Sequence, residues 1–396
     1  MVVVEAAPAP GRVVAASLSG EIVLKGPRTR PRFERRLLRN AAAALERWGL
    51  GGCRVRLWET RLLVEGCGEE AAEAAVDALL HVFGVHAVTV AHVIHYEDIE
   101  DLVAKAAAVA AEWVRGRRFA VRARRSGREP FTSLELARRL GAALHPYSAG
   151  VDLEEPEVEV YIEARGRVAL LHRGWRRGPG GLPIGVEGRV LALFSGGLDS
   201  PLAAWMAAKR GAEVDMLHYI LATPLSLADA LRVARLEARL WLHGYSPTLY
   251  AVDFRGVTRA IAARVRPEYR QVVLRLAMYT AAERLAEAHG YQALVTGESL
   301  GQVSSQTLHN IYALAKARPL HVPILRPLIG LDKEEIVEQM RRIGLYDEAS
   351  RTREYCRLAQ GPVTTRADPE TLRAEYEKVE DETRRALEAL AEIRLA

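Results

Sequence analysis

Cysteine is scarce: 396 residues carry three, Cys53, Cys67 and Cys356. So few thiols argue against a disulfide framework, and their spacing fits no zinc site. Cys53 and Cys67 read as small, inert apolar groups. No apolar run approaches the roughly 20 residues of a membrane-spanning helix, so no membrane partner is expected. Met1-Val2-Val3-Val4 is followed by Glu5 and a Pro-Ala stretch with no basic flank, a poor signal peptide. A cytoplasmic protein is the default. Lysine is also rare, with only six among 55 basic residues. An arginine excess of that kind is not by itself an RNA signal.

What is present is size, apolar content and clustered charge. The length and 49% apolar content suggest two or three domains with real cores. A net charge of +5 makes an anionic partner plausible without demanding one. Arg115, Arg117, Arg118, Arg122, Arg124, Arg125 and Arg128 crowd one short stretch, with Arg138 and Arg139 following. Such density is commonly a solvated face. Here it falls on a strand and its turn, where phosphate binding competes evenly with that reading.

Three segments follow from hydrophobic periodicity. Residues 13–18, 55–64 and 85–94 read as strands and 33–48 and 71–82 as helices, an α+β unit of ferredoxin-like type. The loop Gly20-Glu21-Ile22-Val23-Leu24-Lys25-Gly26 fits neither period. A second unit places helices at 99–114 and 132–144, with Thr132 or Ser133 as N-cap. Its strands are a basic one at 118–124 and a pair around Arg165-Gly166. Residues 176–183, rich in Gly and Pro, read as a linker. From 184 to about 365 strands (190–194, 214–219, 248–252, 293–296) alternate with helices, as a doubly wound parallel sheet requires. The tail from Pro369 reads as a charged surface helix.

Leu193-Phe194-Ser195-Gly196-Gly197-Leu198-Asp199-Ser200 is the most informative stretch. A buried strand runs into a Ser-Gly-Gly turn and then a helix from about Pro201. Glycines allow a tight turn and close approach of a ligand. Ser195, Ser200 and the first N–H groups of the helix can hold phosphate oxygens. No lysine of the Gly-x-x-x-x-Gly-Lys type follows, which excludes the kinase and GTPase loop. Asp199 is acidic for a bare anion site, so a metal bridging it to phosphate is expected. A plain glycine turn is the alternative. The stretch resembles the Ser-Gly-Gly-x-Asp-Ser loop of the PP-loop ATP pyrophosphatases, which release pyrophosphate from ATP and adenylate a carbonyl oxygen.

Further stretches narrow this. They are Thr296-Gly297-Glu298-Ser299-Leu300-Gly301-Gln302-Val303-Ser304-Ser305-Gln306-Thr307, Ile324 through Ile336, Arg353-Glu354-Tyr355-Cys356 and the 20–26 loop. Together they look like the tRNA 4-thiouridine synthetases, or tRNA sulfurtransferases, over residues 13 to about 363. The resemblance implies a ferredoxin-like domain (1–95), a THUMP domain (96–181) that binds the tRNA acceptor region, and a PP-loop ATPase domain (182–396). It implies adenylation of O4 of the uridine at position eight of tRNA and its replacement by sulfur, with ATP and Mg2+. Asp199, Lys333 and Cys356 take the catalytic positions. Leu193, Phe194, Ser195, Gly196, Gly197, Ser200, His218, Tyr219, Arg275, Gly297 and Gln306 match nucleotide-contacting positions. Arg117, Arg118, Arg122, Arg124, Arg125 and Arg128 fall in the THUMP unit as tRNA contacts. Other readings stay open: His218 and Tyr219 as core, Arg275 as a helix-surface charge, and Lys333 as a helix-face partner of its acidic neighbours. Arg351, Arg353 and Arg357 would favour a thiolate at Cys356, which could carry a persulfide or resolve one.

Many relatives end in a rhodanese domain; with about 40 residues following Cys356, none is expected here. The stretch 269–275 lacks the Cys-x-x-Cys pair of some archaeal relatives, against an iron–sulfur cluster. The sulfur donor is then free sulfide or a persulfide-carrying protein. A homodimer would let one THUMP unit serve the other subunit's active site. Competing functions are sulfur transfer to a small molecule or carrier for thiamine thiazole synthesis, and non-catalytic tRNA binding.

Overall fold

The computed structural model describes residues 7–68, 70–127, 129–353 and 363–395. It divides into two compact units, Met1–Leu182 and Pro183–Ala396. Among the described residues no helix is long and apolar enough to cross a membrane.

The first unit is built on one sheet. Its strands lie side by side in the order Arg54–Trp58, Arg61–Glu65, Gly11–Leu18, Val85–His95, Val168–His172, Val158–Arg165, Arg118–Ser126 and Gly150–Val151. Val85–His95 joins the ferredoxin-like half to the THUMP-like half by pairing antiparallel with both Gly11–Leu18 and Val168–His172. Helices Ile99–Val114 and Ser133–Leu144 bury Leu102, Ala106, Ala110, Leu136 and Leu140 against the second half. Their spacing of three and four residues gives each helix a continuous apolar stripe. Thr132 caps the second of these helices by accepting from the Glu135 N–H, as its sequence predicts.

Four local expectations need correction. Residues 55–64 are not one strand but a hairpin, Arg54–Trp58 and Arg61–Glu65, turning at Glu59-Thr60. Glu59 adopts φ 52°, a left-handed value that this turn requires and that Gly or Asn would have advertised. Arg165 holds it there through an ion pair of 2.9 Å to the Glu59 carboxylate. The hairpin brings Cys53 and Cys67 opposite each other just beyond the Arg54–Glu65 pair, and they are joined by a disulfide. Cysteine count therefore misled, because it carries no information on register. The 20–26 loop contains a helical turn, Gly20–Val23, that leaves Leu24 exposed. Arg176–Arg177, read as linker, pairs as a short strand with Val88 and Ala87.

The second unit is a twisted sheet in the order Ile324–Leu325, Ala293–Val295, Arg189–Leu193, Glu213–Ile220, Thr248–Asp253 and Ala391–Arg394. All pairings are parallel except the last. Helices on both faces explain why its strands read as near-continuous apolar runs. The chain leaves Arg189–Leu193 toward one side and later returns to its other side through Ala293–Val295. The crevice at such a switch point, beyond the carboxyl ends of the strands, is where ligands bind in this architecture.

The tail is also corrected. It forms helices Pro369–Glu377 and Glu380–Ala386 and then the antiparallel edge strand Ala391–Arg394. Leu372, Tyr376 and Val379 are buried in the core. Their i, i+4, i+7 spacing supplies the stripe that the surrounding charge obscured.

Glu237 sits fully buried with neither carboxylate oxygen hydrogen-bonded among the described residues, and burial raises its pKa well above the usual carboxylate range. The fold therefore holds it neutral. Stability from a group raised in this way is present below the unfolded pKa and lost as pH rises toward the folded one. Glu237→Leu is expected to raise Tm by about 2 °C or more at pH 8, and by less at pH 5. Thermal scans at the two pH values check this, and an equal fall at both would show that the carboxyl has a stabilising partner.

Candidate functional site

The site begins where the strand Arg189–Leu193 ends. Phe194 still donates its N–H to the Leu217 carbonyl at 2.8 Å, and then the chain turns. Gly196 has φ +83°, and a Cβ there would sit 2.8 Å from Ala230 Cα. Only glycine satisfies both demands. The helix starts at Asp199 and runs to Lys209, two residues earlier than the Pro201 start expected from sequence. Ser200 Oγ accepts from the N–H groups of Ser195 (2.9 Å) and Gly196 (3.3 Å), and Ser195 Oγ accepts from Gly197 at 3.3 Å. The turn is thus a ring of backbone donors closed by its own serines, at the positive end of an 11-residue helix.

A cleft of about 590 Å3 opens over this turn. Of the nucleotide positions expected from sequence, Leu193, Phe194, Ser195, Gly197, His218 and Tyr219 line it, together with Asp199 and Lys333. His218 and Tyr219 are at once core and cleft wall. The His218 ring lies 2.9 Å from the Phe194 carbonyl oxygen and 3.1 Å from the Ser226 hydroxyl, and burial lowers its pKa. Tyr219 donates its hydroxyl to the Met278 carbonyl at 2.5 Å and packs on Phe254.

Asp199 faces the cleft with a buried Oδ1 that has no hydrogen-bond partner among the described residues. Burial raises its pKa, while Lys333 and the Gln302 side chain pull it back down. A buried carboxylate oxygen with nothing to bond is a natural ligand for a hard cation such as Mg2+ carried by ATP phosphates. Lys333 is the first residue of the helix Lys333–Arg342, fixed by a capping box between Asp332 and Glu335. The acidic pairing expected as its alternative goes to the cap instead: Glu335 bonds the Asp332 N–H at 2.9 Å.

Five expected nucleotide positions do not line the cleft: Gly196 and Ser200, which shape the turn beneath it, and Arg275, Gln306 and Gly297. Arg275 is no surface charge; it is half-buried in an ion pair with Glu298 and donates to Ser305 Oγ at 3.2 Å. Gln306 Oε1 accepts from the Ser299 N–H at 3.2 Å. Gly297 packs on the start of the Asp199 helix, where a Cβ would meet Asp199 C at 2.8 Å. These last three brace the 296–307 loop. On the opposite wall Arg353, expected beside Cys356, lines the cleft together with Ser350 and Thr352, which sequence reading missed, and Thr352 donates its hydroxyl to the Gly196 carbonyl at 2.8 Å. Short helices and polar loops offer no periodic signal that would have revealed them. Cys356 lies outside the described residues, three positions after Arg353.

Of the arginines assigned to tRNA, Arg118 pairs with Asp152 (2.9 Å) and Arg122 with Glu159 (2.8 Å). Arg125 donates to the Gly127 carbonyl at 3.1 Å. Arg117 and Arg124 make no ion pair among the described residues, so part of the cluster keeps its charge uncompensated. Arg128 lies outside the described residues.

Known proteins match the chain over most of its length. Residues 185–380 match the family described as Thiamine biosynthesis protein (ThiI), 19–89 the ThiI ferredoxin-like domain and 96–172 the THUMP domain. A probable tRNA sulfurtransferase of Aeropyrum pernix is 47% identical over 362 residues, covering 91% of this chain and 90% of its own length. A tRNA sulfurtransferase of Desulfurococcus amylolyticus is 46% identical, covering 92% of this chain and 74% of that protein. The crystal structure of a 4-thiouridine synthetase–RNA complex with bound ATP superposes with TM-score 0.82 at 28% identity, covering 97% of this chain and 100% of that one. With its PP-loop ATPase sheet preceded by ferredoxin-like and THUMP regions, the chain belongs to the tRNA sulfurtransferase family.

Proposed function

We propose that this chain is an ATP-dependent tRNA sulfurtransferase that converts the uridine at position eight of tRNA to 4-thiouridine. The observation that carries the reading is the cleft itself: a PP-loop turn with Lys333 and the Asp199 carboxylate, whose Oδ1 has no partner among the described residues, facing one ATP-sized space. Uridine O4 attacks the α-phosphate of ATP, and the bond to pyrophosphate breaks. The Ser195–Ser200 turn receives that pyrophosphate through its N–H groups. Lys333 offsets charge developing on the α-phosphate. Asp199 would hold Mg2+, which supplies charge neutralisation at the phosphates. A sulfur nucleophile then adds to C4, and AMP leaves with the former O4. The ring carbonyl is a poor electrophile until its oxygen belongs to that phosphoester.

Free sulfide would add to the activated C4 directly; with a persulfide-carrying protein, Cys356 is proposed to take the outer sulfur as its thiolate while the carrier's thiol leaves, the terminal sulfur then adds to C4, and a thiol reductant cleaves the remaining S–S bond and restores Cys356. Cys356→Ser is expected to abolish thiolation from a persulfide donor while tRNA-dependent pyrophosphate release stays within about twofold. Full thiolation by that variant removes the relay and leaves adenylation standing.

The function is tested by nucleoside mass spectrometry on unmodified tRNA incubated with the protein, Mg2+ and either sulfide or a persulfide donor. The expected result is 4-thiouridine only when ATP is present. No 4-thiouridine with either donor, or its formation without ATP, would overturn the reading.

A further inference from the structure

The loop at 296–306 touches both sides of the proposed reaction centre, and it is pinned by one carboxylate. Gly297 packs against the backbone of Asp199 and Ser200, so closely that a Cβ would lie 2.8 to 2.9 Å from Asp199 C, Asp199 O and Ser200 N. Gln302, on the same loop, lies beside the Asp199 carboxylate. The far side of the loop grips the segment that leads into Lys333. Ser299 donates its hydroxyl to the Leu331 carbonyl at 2.6 Å, and the Leu300 N–H donates to the Ile329 carbonyl at 3.1 Å. Leu331 directly precedes Asp332, which caps the helix on which Lys333 is the first residue.

Between these contacts sits Glu298, buried and paired with two guanidinium groups from different elements. Arg275 comes from the helix Arg270–His289 and Arg326 from the connection just before the Lys333 helix; Arg326 Nε donates at 2.7 Å. Thr296 adds its hydroxyl at 3.0 Å. A buried carboxylate matched by two charge-assisted donors and a hydroxyl is fixed in orientation as well as in place.

We propose that Glu298 is the positioning residue of the adenylation site: through the 296–306 loop it fixes the separation of Asp199 and Lys333 across the cleft. The proposal rests on the sulfurtransferase reading for its kinetic consequence, but its structural consequence is independent of it. Arg275 then serves the nucleotide indirectly, by holding Glu298.

The test uses Glu298→Gln, which keeps shape and removes charge, and Ser299→Ala, which cuts only the link to Leu331 and leaves every buried charge in place. In tRNA-dependent pyrophosphate release, Glu298→Gln is expected to lower kcat about tenfold or more, with KM for ATP and the tRNA Kd within about threefold. Ser299→Ala is expected to lower kcat about threefold or more at unchanged Tm. Hydrogen exchange needs no turnover and separates the two claims. In Glu298→Gln, exchange is expected to speed up at 297–306 and also at 331–336, two segments joined by the Ser299–Leu331 contact. Unchanged exchange at 331–336 overturns the coupling whether or not the wild-type protein thiolates tRNA. A kcat within twofold of wild type for both variants overturns the positioning role even if the coupling stands. Wild-type protein that releases no pyrophosphate condemns the functional reading instead, and the exchange result still decides the coupling.

Discussion

Asp199→Asn is expected to cut tRNA-dependent pyrophosphate release by at least about 100-fold, or roughly 3 kcal/mol, without loss of fold. The substitution keeps the shape of the side chain and removes the charge that a cation on the phosphates would meet. It also removes a cost. Asp199 is largely buried, its Oδ1 has no partner among the described residues, and burial raises its pKa despite the opposing pull of Lys333. With the folded pKa raised, stability from this group is present below the unfolded value and lost as pH rises through the folded one. At neutral pH the ionised carboxylate is therefore a stability debt held for function. Asp199→Asn should melt at the same temperature as wild type or higher, while losing activity. The same shift predicts that wild-type kcat/KM falls as pH drops through a value above the ordinary aspartate range, because the ionised form binds the metal. Calorimetry and a pyrophosphate assay on one preparation check both halves. A variant that retains activity, or that unfolds, would remove Asp199 from the role given to it.

Gly297→Ala is expected to be nearly as damaging, about 30-fold or more in kcat together with a fall in Tm of several degrees. The reason is backbone against backbone. A methyl at 297 would stand 2.8 Å from Asp199 C and 2.9 Å from Asp199 O and Ser200 N. None of these atoms belongs to a flexible side chain that could swing away, so the strand end and the start of the nucleotide-binding helix must separate. That movement displaces Asp199 and the Ser200 hydroxyl that closes the turn. Gly301→Ala offers the contrast within the same loop. Gly301 has open space around its Cβ position but φ +77°, so its cost is conformational strain without a clash. Gly301→Ala should therefore lose stability with a much smaller loss of kcat. Steady-state kinetics and thermal melts on the two variants separate them, and equal kinetic losses would show that loop strain, not the approach to Asp199, dominates.

Residues joined by covalent neighbourhood or by a single element's period were readable directly. The strand 190–194, the Ser-Gly-Gly turn and the following helix are contiguous, so the nucleotide loop and the placing of Asp199 were evident from a dozen letters. The cap at Thr132 was likewise local, because a short polar side chain and the N–H three residues on need nothing from the rest of the chain. Parallel order in the second sheet followed from strands alternating with helices.

What only the tertiary structure decided depends on register and on contacts between distant segments. The Cys53–Cys67 disulfide required a hairpin whose turn, at Glu59, carries no turn residue. Burial of the tail required knowing that Leu372, Tyr376 and Val379 find a core to face. The pairing of Arg275 with Glu298, 23 residues away, required the helix Arg270–His289 to be seen beside the 296–306 loop. Thr352 reaches Gly196 across 156 residues of sequence. Sequence fixes chemistry and local periodicity because those are set by each residue and its near neighbours. Which charge meets which is set by how the elements pack, and no pattern within one segment encodes it.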